Sequence, residues 1–229
     1  MNLSSSFDHR VVDGMDAAQF IQAVRGLLEQ PATLFVDPTN GLNTNTGASI
    51  GQALADLQTA INAASAGDTI SVLPGTQSAQ GVAWPDNSDT ISLYINKPLT
   101  IQGVTSTGVL INSAAAVQAT IACQSQGINS RAIVAVDAAN VTITGLKFTV
   151  GTADAANPVD GSGLLMFVLN NNFALADSSI DLNRTNMNTQ GQAGTAVATV
   201  AFFDPDPTLN ASKQIVASSI QQFTISDNI

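Results

Sequence analysis

Two groups of residues in this 229-residue chain have the types and spacing to do chemistry. The first is His9, followed four residues later by Asp13 and then Gly14, with Asp8 and Arg10 on either side of the histidine. A neutral imidazole titrates near ~6.5 and a thiol near ~8.5, so a positioned histidine can take a thiol proton at neutral pH. The second group is acidic: Asp204-Pro-Asp206-Pro, and the pair Asp177 and Asp181. Four residues apart in a strand region, Asp177 and Asp181 would project to one face, where a pair of carboxylates could share a cation, but a structural role is expected for the acidic groups and no metal site. His9 is the sole histidine and Cys123 the sole cysteine, which excludes a His/Cys metal cluster and an internal disulfide.

The elements that must position these residues differ in composition. Residues 1–36 contain Asp8, Asp13, Asp16 and Glu29 against Arg10 and Arg25, whereas the chain from Asp37 onward has thirteen Asp, no Glu and five Lys plus Arg. Losing Glu while gaining Asn, Thr, Ser, Val and Ile exchanges helix chemistry for strand-and-turn chemistry. In the first part, Leu3 to Phe7 reads as a short strand and Asp13 as the cap of an amphipathic helix. Ala17, Phe20, Ile21, Val24, Leu27 and Leu28 recur at three- and four-residue steps until Pro31. A unit of this size is too small to sustain its own core, so it is expected to be a piece of something larger.

The run Ser6 to Phe20 (SFDHRVVDGMDAAQF) and the run Leu27 to Phe35 (LLEQPATLF) resemble the extreme C-terminus of the dihydrolipoyl acyltransferase component of 2-oxo acid dehydrogenase complexes. The resemblance rests on His-x-x-x-Asp-Gly, matched by His9, Asp13 and Gly14. It implies that His9 is the catalytic general base activating the thiol of coenzyme A or dihydrolipoamide, and that Asp13 helps to order the site. It implies no bound cofactor, since the lipoyl group and coenzyme A enter as substrates. The family's catalytic domain forms trimers in which a hydroxyl from the neighbouring chain stabilises the tetrahedral intermediate. Without the rest of that domain, 1–36 lacks an oxyanion stabiliser and a substrate channel, and is expected to be inactive alone.

From Leu34 the chain reads as turn, helix and strand. Ile50, Leu54, Leu57, Ile61 and Ala64 form one apolar face of a helix that Gly67 stops, and Gly67 to Thr76 (GDTISVLPGT) is a strand closing in a Pro-Gly turn. Together with Ile95 to Gly103 (INKPLTIQG), this resembles the start of right-handed parallel β-helix proteins of the pectate-lyase-like class. Strand runs at Pro98–Gly103, Asn140–Phe148, Ser178–Asn183 and Gln221–Asn228 lie about 40 residues apart, suggesting coils of about 20 residues with every second one marked. The expected fold class is therefore mainly β: a right-handed parallel β-helix solenoid over 37–229 with an N-terminal capping helix, preceded by the strand-loop-helix fragment of 1–36. The helix would cover the first rung against edge pairing, while the other end, stopping after a strand at Ile229, reads as truncated. A chimera or fragment is the reading that joins the two halves.

Polysaccharide lyases resembling this fold use carboxylate-held Ca²⁺ and an Arg or Lys as base. The cations here are Lys97, Arg131, Lys147, Arg184 and Lys213, and none matches a lyase signature. Asp204 and Asp206 are expected to shape a Pro-rich excursion, and Arg131 and Arg184 to be solvated charges flanking strands. Asn170, Asn171 and Asn172 read as an amide ladder between coils or as a turn. Trp84 and Tyr94, in or beside an insertion spanning Gln77 to Asp89, read as packing aromatics, and Cys123 as a small buried hydrophobe.

A net charge of -10 leaves no basic face for nucleic acid. With no long apolar run and no signal peptide in the opening residues, the expectation is a chain without a membrane span that stays in the cytoplasm as encoded, although the β-helix part resembles extracellular or cell-surface proteins. The functional expectation is a non-catalytic β-helix module of secreted or surface type, binding glycans or acting in adhesion with carbohydrate as partner, fused to an acyltransferase tail. The alternatives are a dihydrolipoyl acyltransferase fragment working through His9, and a polysaccharide lyase or hydrolase.

Overall fold

The computed structural model describes residues 18–22, 24, 31–79, 81–83, 90–123, 133–150, 165–168, 170, 172–181, 199–202 and 223–226. Their regular structure is mainly strand. Short runs with alternating buried residues, such as Val141–Thr144, are bounded by Gly and Asn, so each can bury only one face and needs partners on both sides.

Three parallel sheets supply those partners. The first contains β1 (Thr33–Val36), β2 (Thr69–Val72), β7 (Thr100–Gly103), β10 (Val141–Thr144), β13 (Phe173–Ala176) and β16 (Phe223–Ser226), paired in that order. The second runs β3 (Gly75–Ala79), β8 (Ala119–Cys123), β11 (Leu146–Val150), β14 (Ser179–Asp181), and the third β6 (Leu93–Ile95), β9 (Ile133–Val136), β12 (Leu165–Val168), β15 (Thr199–Phe202). Setting aside the small antiparallel pair β4 (Val82–Ala83) and β5 (Thr90–Ile91), the chain from β2 onward visits the first, second and third sheets in strict rotation. Parallel strands need long crossovers, and here each crossover is the passage through the other two sheets.

Side-chain alternation sets the register. Leu34, Ile70, Ile101, Ile143 and Leu175 align strand by strand across the first sheet, all buried, and Ile121 aligns with Phe148 in the second. These inward rows and those of the third sheet, among them Leu93, Val134 and Met166, form one continuous apolar cluster. Partners in the first sheet are 36 residues apart at Thr33 and Thr69, 31 at Thr69 and Thr100, 42 at Thr100 and Thr142, 32 at Val141 and Phe173, and 50 at Phe173 and Phe223. The 20-residue coil expected from sequence is thereby corrected: a return to the same sheet takes three strands. Of the four marked runs, three do fall in the first sheet, but Ser178–Asn183 supplies β14 of the second.

The helix is shorter than its apolar stripe suggests. Ile50–Gln52 is a 3₁₀ turn, Ala53 is extended, and α1 covers only Leu57–Ala63. Asp56 accounts for the difference, because its carboxylate accepts from Thr59 N and Thr59 Oγ1 and so starts the helix as an N-cap. Gln77, at the inward position that Ile121 holds on β8, accepts from Leu57 N, another N–H with no partner inside the helix. Leu57, Ala60 and Ile61 are buried, and α1 packs on β1, β2 and β6. At the far end, Lys97 Nζ donates to the carbonyls of Ile61, Asn62 and Ala64 at 2.7–2.9 Å. Gln58 places its amide on the backbone of Tyr94, accepting from the N–H at 2.9 Å and donating to the C=O at 3.1 Å. A side chain thus takes the place of a neighbouring strand along β6.

Glycine is required where the first sheet gives way to the second. A Cβ on Gly103 would lie 1.8 Å from the carbonyl oxygen of Gly145, which itself has φ +65. Backbone cannot retreat as a flexible side chain can. Gly103→Ala should therefore lose about 1–3 kcal/mol or more, read from the urea midpoint, whereas Gly51→Ala, with open space around its Cβ, should stay within about 0.5 kcal/mol. Equal losses would contradict the close approach.

The Asp-Pro-Thr-Asn-Gly turn after β1 carries a second test. Partial burial pushes the Asp37 carboxyl up, but hydrogen bonds from Asn40 N, Thr39 N and the Asn40 amide outweigh it and hold the group below the usual aspartate value. A depressed folded pKa gives stability that is present above the unfolded value of about 3.9 and is lost as pH falls through the folded value. The stability gap between the native chain and Asp37→Asn, measured by denaturation, should be constant above about pH 5 and narrow below about pH 4.

Candidate functional site

A polar cluster that joins residues distant in sequence lies at the end of the third sheet. Asp137 follows β9, its N–H donating to Ile95 O at 2.7 Å, and this places its carboxylate between two neighbouring chain returns. Tyr94 Oη donates to Asp137 Oδ2 at 2.7 Å, and Asn170 Nδ2 to Oδ1 at 3.3 Å. Two residues singled out in the sequence are thus joined through a third that was not, because nothing local to Asp137 announces a partner 43 residues earlier. Both carboxylate oxygens accept from neutral donors, an arrangement suited to tying strands together. The Tyr94 ring packs against Ile91 and Ala135, as expected of a packing aromatic.

Asn172 does form an amide ladder. Its Nδ2 donates to Asn140 Oδ1 at 2.8 Å, and both residues have positive φ (59 and 57) immediately before register-matched strands. Asn171 lies outside the described residues. Asp177 turns the chain at φ 48 between β13 of the first sheet and β14 of the second, so the strand periodicity that would align it with Asp181 is broken. Among the described residues no group of three or more His, Cys, Asp or Glu side chains could hold a metal. Asp204, Asp206, Arg131, Arg184, Lys213 and Trp84 lie outside them. The insertion is corrected too: Gly75–Ala79 is a strand of the second sheet, and Gln77 lies within it as a buried residue. Of the candidate cations, Lys97 serves as the helix clamp described above, and Lys147 sits in β11 in register with Thr120 and Ser179.

Cys123 is fully buried in β8. Burial pushes its thiol up, and the lowering effect of a hydrogen bond with Ser92 does not offset it, leaving a pKa of about 12. A thiol so placed is neutral and hidden, hence inert.

His9 and Asp13 lie outside the described residues, as does Leu3 to Phe7. Residues 18–22 and 24 are helical, which agrees with the predicted helix, and on its apolar stripe Phe20 is 57% exposed while Ile21 and Val24 are half-buried. Residues 1–36 match the 2-oxoacid dehydrogenases acyltransferase (catalytic domain) family. Over 37 residues the chain is 92% identical to the lipoamide acyltransferase component of the branched-chain alpha-keto acid dehydrogenase complex of Pseudomonas putida, and 89% identical to that of Pseudomonas aeruginosa. It is 49% identical over 37 residues to the dihydrolipoyllysine-residue succinyltransferase component of the 2-oxoglutarate dehydrogenase complex of Pseudomonas aeruginosa. Each match covers 16% of this chain and 9% of the relative, so the chain spans about a tenth of the length of these proteins. No solved structure matches.

These matches correct the functional expectation. They fall on residues 1–36, and nothing in them or in the described geometry supports a secreted or surface glycan-binding or adhesion module. Among the described residues no helix is long and apolar enough to cross a membrane.

The thiol offers a direct test of the core. Cys123 in the native chain at pH 8 should resist a disulfide-exchange reagent, with labelling at least about tenfold slower than in urea; equal rates would show that β8 is not sealed.

Proposed function

We propose that residues 1–36 carry the acyl-transfer chemistry of a 2-oxo acid dehydrogenase acyltransferase, with His9 as its general base and Asp13 as the residue that orders it. The 92% identity over 37 residues carries this reading. In it, His9 takes the thiol proton of coenzyme A and the sulfur attacks the carbonyl carbon of an acyl-dihydrolipoamide. The tetrahedral intermediate collapses with release of the dihydrolipoamide thiolate, which recovers the proton from the imidazolium. In this reading the oxyanion donor and the walls of the channel come from acyltransferase sequence outside residues 1–36, in the trimeric arrangement of that family.

For 37–229 the reading is a right-handed parallel β-helix. It is supported by the rotation of strands through three parallel sheets and by the general right-handedness of parallel crossovers. That part is assigned no chemistry of its own.

The test measures acyl transfer from a branched-chain acyl-dihydrolipoamide to coenzyme A by the 229-residue chain and by His9→Ala. Loss of the base should lower turnover about 10²–10⁴-fold. Turnover unchanged in His9→Ala, or no turnover above the uncatalysed rate in either protein, would overturn the proposal.

A further inference from the structure

We draw no further inference here: the strongest candidate, the exposed apolar patch formed by Ile50, Val109 and Leu110 beside Gly108 and Phe35 at the first sheet, carries nothing because nothing in the structure shows what covers it.

Discussion

Parallel register between successive strands is the constraint on which the rest of the structure depends. A β-strand shows alternate side chains to opposite faces, so slipping any strand by one residue would exchange its buried and exposed sets. The row Leu34, Ile70, Ile101, Ile143, Leu175 leaves no such freedom, because every one of these strands contributes a large buried apolar residue at the same level, flanked on Thr69–Val72, Thr100–Gly103 and Val141–Thr144 by Thr, Ser or Gln. No single strand has enough apolar surface to stay folded alone. Their alignment into rows that meet in one cluster converts five short and individually weak elements into a shared interior. Gly103 and Gly145 follow from the same constraint, since keeping the rows in register brings two backbones too close for a side chain.

The first strands of the three sheets pose a different problem, that of open backbone, and the chain answers it with side chains and a loop. The loop after β1 bonds back at Phe35 N to Gly47 O and Leu54 N to Phe35 O, covering β1. Gln58 occupies β6, and Gln77 exchanges the apolar residue of its row for an amide that reaches α1. Lys97 then neutralises the carbonyl end of that helix. Together these contacts hold a helix of only seven residues in place, a length at which helical propensity alone would not suffice.

How much of this could be read from the chain follows from the range of each interaction. The strands at Pro98–Gly103 and Asn140–Phe148 and the helix near Leu57 announce themselves through local alternation and spacing, and the His9 motif through its neighbours. α1 starts later than its apolar stripe suggests because Ile50 and Leu54 fit that stripe by coincidence, and the N-cap that sets its start is Asp56. The turn at Asp177 is hidden for a related reason: without a glycine to mark it, a positive-φ turn looks like continuous strand. Asp137, Gln58 and Lys97 act on partners 33 to 43 residues away, and no pattern in a single sequence reports such pairs. The length of one full return is hidden in the sequence because strands such as Ile133–Val136 and Leu165–Val168 of the third sheet are apolar throughout and show no alternation.

The uneven returns carry a consequence for how such a chain can change. Thirty-one residues separate Thr69 from Thr100 and fifty separate Phe173 from Phe223, yet each pair ends as adjacent neighbours in one sheet, at the roughly 4.8 Å step that strand pairing imposes. Contour length and strand spacing are thus uncoupled. Sequence added between two such strands need not alter how they pair, so the connections can accumulate novelty while the register of the sheet is kept.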